Sequence, residues 1–267
     1  MNSNRCNGFF VILETEFRRI TRSRRFLAIL LVTVFPAVIY LFNPEATGKG
    51  LDAMLEAYQS LMAELVPSYW LGVIGQLLAI ILMSDLLASE IDKGTIRLLL
   101  AKPVKMSEII MGKFAAGILA LTTLFIIPYI VIWLYNPVVY GTGYNGLAKS
   151  ISDVLLVAAA TILVLAALGS LSMMVSALIT RSLYASLVSF GIVFLSQYII
   201  PQIPYVENPS HYTIGYQVLV ILKEGFERIN LQSIQGNSCH TIVFFSTLTT
   251  AFLAATWVFL TRRDFTE

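Results

Sequence analysis

Six apolar runs, at 26–42, 69–88, 114–135, 154–179, 184–200 and 241–260, constrain this chain more than any other feature. Each is long enough for a helix to cross a hydrocarbon core, which takes roughly 17–25 mostly apolar residues. No water reaches that depth, so backbone N–H and C=O groups must pair within the segment, and helices are predicted. Composition points the same way. Of the 267 residues, 57% are hydrophobic and 13% charged, against about 25% charged in a soluble domain. The expected fold is therefore all-α: one polytopic membrane domain over residues 1–267 with six transmembrane helices. Pro36 and Pro128 fall inside two of the runs, where neighbouring helices re-satisfy the freed carbonyls.

Basic residues set the orientation, because Lys and Arg concentrate in cytoplasmic loops. Arg5, Arg18, Arg19, Arg22, Arg24 and Arg25 precede the first run, and Lys93, Arg97, Lys102, Lys105 and Lys113 lie between the second and third. Arg181, Arg262 and Arg263 complete that side, so it holds fourteen of the 18 Lys and Arg residues. Lys49, Lys149, Lys223 and Arg228 fall on the other. Both termini are expected in the cytoplasm, in a multi-pass protein of the cell membrane. The arginines before residue 26 mimic a signal peptide, but the apolar run is too long and Asn43-Pro44-Glu45 follows it. An uncleaved first span is expected.

Three further segments show helical periodicity. In 8–25, Phe10, Leu13, Phe17 and Ile20 share one face, opposite Glu14, Arg18, Arg22 and Arg25. This reads as a cytoplasmic interfacial helix whose arginines meet anionic headgroups, which makes membrane lipid an expected partner. On the external side, Leu51, Met54, Leu55, Tyr58, Leu61, Met62 and Leu65 form a stripe. The external loop 201–240 opens with Pro201, Pro204 and Pro209. Its later stripe of Ile214, Val218, Ile221, Leu222 and Phe226 predicts a short external or re-entrant helix. The tight connection at 180–183 predicts that spans four and five pack as an antiparallel pair.

Covalent chemistry finds little support. Gly48-Lys49-Gly50 and Gly112-Lys113-Phe114 lack the spacing and the Ser/Thr of a phosphate-binding loop. His211 and His240, with Cys239, are the nearest approach to a metal set and read better as hydrogen-bonding loop residues. Cys6 and Cys239 fall on opposite sides and are expected as free thiols. No catalytic, cofactor or metal residue is expected, and no nucleic-acid partner. Gly169, Ser170, Ser172, Ser176 and Ala177 would let helices approach closely. Asp85 is the one carboxylate inside an apolar run. It lies near the cytoplasmic end of span two, which leaves three readings: an acid paired with a nearby base, an anchor for the following turn, or an intramembrane functional acid.

The most patterned polar stretch is the cytoplasmic segment 89–113. Glu90 is followed by Gly94-Thr95, the block Leu98-Leu99-Leu100, Pro103 and Gly112-Lys113. Thr95 can cap a short helix. Ile96, Leu99 and Leu100 give that helix an apolar face, and Pro103 stops it. Ser107 is the expected cap of the helix that enters span three.

This pattern, with the interfacial helix, six spans and long last external loop, resembles the permeases of type-2 ATP-binding-cassette (ABC) exporters. The resemblance implies a transmembrane permease subunit, without its own ATPase motif, that moves a substrate using ATP hydrolysed by a separate chain. It implies a coupling role for Glu90, Gly94, Thr95, Ile96, Leu99, Leu100 and Pro103, docked on that ATPase subunit. It further implies pairing with a second permease copy or a paralogue. ATP and Mg would sit on the partner and no cofactor on this chain. A non-transporting structural or assembly subunit is the alternative. The substrate is not legible in these residues.

Overall fold

The computed structural model describes residues 7–42, 48–92, 94, 105–202, 211, 213–231 and 234–262. Nine α-helices and no strand occur among them. They are α1 (Asn7–Thr21), α2 (Arg24–Phe42), α3 (Leu51–Leu65), α4 (Val73–Asp92), α5 (Met106–Tyr140), α6 (Gly143–Leu178), α7 (Ser182–Ile199), α8 (Ile214–Leu222) and α9 (Ser238–Arg262). Six of these, α2, α4, α5, α6, α7 and α9, are long and apolar enough to cross a membrane. The protein is a multi-pass membrane protein.

Helix α6 is the hub, packing against α5, α4, α7 and α9. Its small residues face α4. The Ser172 hydroxyl donates to the Ile80 carbonyl (3.1 Å) and the Ser176 hydroxyl to that of Ser84 (3.2 Å). A Cβ on Gly169 would lie 2.8 Å from the Met83 Cε. Small residues let two backbones pack this closely where apolar side chains gain nothing over lipid contact. Helix α7 packs on α6, and more extensively on α4, where Gln76 and Gln197 exchange amide hydrogen bonds of 2.6 and 3.2 Å. The outward faces of α2 and α7 are apolar and exposed, with Leu31 at 76% and Leu187 at 57%. Lipid or another membrane helix is the solvent such faces require.

Several expected boundaries move. The interfacial helix ends at Thr21, and a turn at 22–23 leads into α2, where Ser23 accepts from the Phe26 N–H (3.1 Å). The first run therefore becomes helical from Arg24. Helices α5 and α6 run to 35 and 36 residues, well beyond the apolar runs that marked them. A π-helical turn, Val66–Trp70, joins α3 to α4 and takes up the start of the second run. Ser107 does not cap α5: the helix begins at Met106, and Glu108 reaches back to accept from the Lys105 N–H (3.3 Å). The apolar face expected to meet the membrane interface divides: Phe10 is 64% exposed, whereas Leu13, Phe17 and Ile20 pack into the protein core. The predicted stripes of α3 and α8 both turn inward, burying Met54, Tyr58 and Met62 in one and Val218, Ile221 and Leu222 in the other.

Candidate functional site

The segment between α4 and α5 begins and ends at a buried ion cluster. Lys113, two turns into α5, is 1% exposed. Its ammonium donates to Glu90 on α4 (2.6 Å), to Glu16 on α1 (2.6 Å) and to the Leu86 carbonyl (3.2 Å), so all three of its protons have acceptors. Arg19 closes the arrangement from the rim, with one nitrogen 2.7 Å from Glu16 and another 3.3 Å from Glu90. Among the described residues, two carboxylates and two cations cancel. Burying charge this deeply requires such pairing, since an isolated ion would lose its hydration without replacement.

Local sequence explains the convergence. Glu16 lies on the face of α1 that carries Leu13, Phe17 and Ile20, so the packing that buries those residues carries the carboxylate inward. Gly112 admits α1 to the surface of α5: a Cβ there would sit 2.9 Å from the Ile12 Cγ2. Gly117 does the same between α5 and α4, where a Cβ would collide with the Met83 and Leu86 side chains. Three helices thus meet at one point. The residues bonded across it, Glu90 and Lys113, bracket the whole basic segment.

Of the residues assigned to coupling, Glu90 belongs to this cluster. Gly94 follows α4 in a left-handed conformation (φ +67°), its N–H bonded to the Ile91 carbonyl (3.1 Å). Glycine reaches that conformation without the penalty other residues incur, and it ends helices for that reason. Thr95, Ile96, Leu99, Leu100 and Pro103 lie outside the described residues. Asp85 stands apart from the cluster, 3.0 Å from the Arg25 guanidinium, with its side chain 37% exposed. The geometry is that of an interfacial acid paired with a base.

Glu16 and Arg19 were not singled out from sequence, and Lys113 was read only as the last residue of a motif. The available signal was an acid on the apolar face of an amphipathic helix, three residues after Leu13 and four before Ile20.

The opposite side of the protein carries a second polar knot. Gln59 on α3 donates to Asp153 on α6 (2.8 Å) and accepts from the Arg228 N–H (2.9 Å), while the Arg228 side chain meets Asp52 (3.0 Å). Tyr58 is buried beside it. Desolvation, with the Asp153 charge as a smaller contribution, pushes its phenol far above the ordinary range and keeps it neutral. His211 stacks on Tyr216 with ring centroids 4.4 Å apart. Among the described residues no group of three or more His, Cys, Asp or Glu side chains is placed to hold a metal. This arrangement can fix helices relative to one another.

Comparison with known proteins agrees with the architecture. The family model described as "ABC-2 family transporter protein" matches residues 10–265. The chain is also similar to a Bacillus subtilis (strain 168) protein described as "Uncharacterized membrane protein YdbK", at 24% identity over 139 residues. That alignment covers 52% of this chain and 56% of the relative, so the chain spans little more than half the relative's length. With the family model matched from the interfacial helix to the end of the last span, the chain belongs to the ABC-2 transporter family.

Proposed function

We propose that this chain is the permease subunit of an ABC exporter. A separate ATPase chain, holding ATP and its Mg, docks on the cytoplasmic segment between α4 and α5, and a second permease copy or paralogue completes the pathway. The observation that carries this reading is the pairing of Lys113 with Glu90 and Glu16 at the root of that segment. A partner pressing on the segment would move α4, α5 and α1 together, because the cluster leaves no slack between them. A loose loop would absorb the same push. This chain then performs no covalent chemistry and acts by converting a docking motion into a change of helix packing. The fourteen basic residues on the segment's side support its placement in the cytoplasm.

The test is co-purification. Leu99→Glu places a carboxylate on the apolar face expected to meet the ATPase, and an unpaired charge buried in a contact is costly. The mutant chain is expected to insert and express normally, to lose the ATPase chain on mild solubilisation and to lose transport. Equal ATPase recovery and equal transport from mutant and wild type would remove the coupling role. Absence of any ATPase chain from the wild-type preparation would favour a scaffold subunit.

A further inference from the structure

We infer that the cleft between the α1–α2 corner and α4 is a binding site for a single anionic glycerophospholipid, with its phosphate on Arg24 and its acyl chains over an apolar floor. The cleft encloses about 410 Å³, within the roughly 300–1,000 Å³ typical of small-molecule sites. Phe26, Ile29, Ile81 and Leu82 line its interior, and Ser23, Arg24, Arg25, Asp85 and Ser89 stand around it. An apolar floor under a polar rim suits an amphiphile and suits a soluble anion poorly.

The charges select the headgroup. Three arginines line the cleft. Arg19 is committed to Glu16 and Glu90, and Arg25 to Asp85. Arg24 is exposed and forms no ion pair with any described residue. Among the described residues of the cleft one uncompensated positive charge remains, which matches the single charge of a phosphodiester. Ser23 uses an oxygen lone pair to cap the Phe26 N–H (3.1 Å), so its hydroxyl proton is free to donate to a phosphate oxygen.

Depth supports the same occupant. Arg24 opens α2, while Asp85 and Ser89 sit in the last turns of α4, so the rim lies where a spanning helix leaves the hydrocarbon. Leu27 and Leu31 continue outward along α2 at 57% and 76% exposure, giving the acyl chains a lipid-facing path out of the cleft. Basic pockets between helices at this level hold anionic headgroups by attraction that bulk salt screens only in part. The site does not depend on whether the protein transports anything.

Native mass spectrometry of the purified full-length chain, with any subunit that stays bound, provides the test. Phosphatidylglycerol and phosphatidylcholine with matched acyl chains serve as probes. Phosphatidylglycerol is expected as one retained adduct, favoured by about fivefold over phosphatidylcholine for the one unpaired arginine. Arg24→Gln should abolish that preference. Arg22→Gln, an equal charge change at an exposed residue that does not line the cleft, should leave it intact. Ile81→Trp, which fills the floor, should weaken both lipids. Equal losses from Arg22→Gln and Arg24→Gln would reduce the effect to diffuse surface attraction and overturn the site. So would equal retention of the two lipids, unchanged retention by Ile81→Trp, or no adduct because another chain covers the cleft.

Discussion

Replacing Lys113 by Met is the sharpest probe of the ion cluster. Methionine is similar in length, so the packing of α1, α4 and α5 is largely kept and the ammonium is what disappears. Glu16 and Glu90 then face each other with Arg19 as the cation they keep among the described residues, and Arg19 is 47% exposed and held at the rim. Removing one partner from a buried ion pair costs about 3–5 kcal/mol, because the charge left behind has lost its water. For a chain of this size that lowers the thermal midpoint by on the order of 10 °C. The triple variant Glu16→Gln/Glu90→Gln/Lys113→Met removes the stranded carboxylates and leaves Arg19 to solvent. Replacing a whole buried ionic group is often neutral, so most of the lost stability should return. Coupling should not return, since the ionic clamp between the three helices is gone. The assay pairs thermal unfolding in detergent with ATPase stimulation in the reconstituted complex. A Lys113→Met protein as stable as wild type would refute the burial argument. A triple variant that recovers stability and coupling together would show that the cluster only holds the fold.

Other substitutions test neighbouring steps. A Cβ at Gly94 would meet none of the described residues within 4 Å, so the expected cost of Gly94→Ala is the left-handed backbone penalty of roughly 1–2 kcal/mol. Gly94→Asn should retain more coupled ATPase activity than Gly94→Val, and equal loss would mean backbone geometry is not the reason for glycine. Gly112→Ala forces a methyl against the Ile12 side chain and should destabilise the protein by about 1–3 kcal/mol, as overpacking does. Adding Ile12→Ala should restore the thermal midpoint if α1 is seated there. Across the membrane, Gln59→Leu removes a bond to the Asp153 carboxylate and one from the Arg228 backbone, for a loss of about 1.5–3 kcal/mol. Gln59→Glu should be worse, with two carboxylates in contact, and the reverse order in thermal unfolding would contradict the assigned bond.

The six spans and the short helices were legible because burial in lipid or protein imposes a period on apolar residues. Helix ends were less so. Hydropathy marks where lipid touches a helix, whereas α5 and α6 continue through Asn136, Ser150 and Asp153, which are polar yet buried against other helices. The start of α5 was misjudged at Ser107 because a hydroxyl and a carboxylate on adjacent residues can each serve a helix N-terminus, and the chain uses Glu108. The cluster itself was hidden for a different reason. Glu16 and Lys113 are separated by 97 residues, and a pattern within one helix cannot distinguish an acid that turns to water from one that meets a buried cation. Asp85 was easier, since a carboxylate near a span end and an arginine at the neighbouring span's start share one level in the membrane.

Helix α5 runs unbroken from the edge of the basic segment to Tyr140, about 52 Å at 1.5 Å per residue. Lys113 pins it near one end, and at the other Tyr140 packs with Met54 and Leu55 of α3 while its carbonyl accepts from the Gly50 N–H (3.3 Å). If α5 tilted as a rigid bar by about 10° around its middle, each tip would move about 4.5 Å, in opposite directions, and carry the residues packed on it. Were a partner to push on the cytoplasmic segment as proposed, a rigid α5 would deliver the motion to α3 on the other face of the membrane.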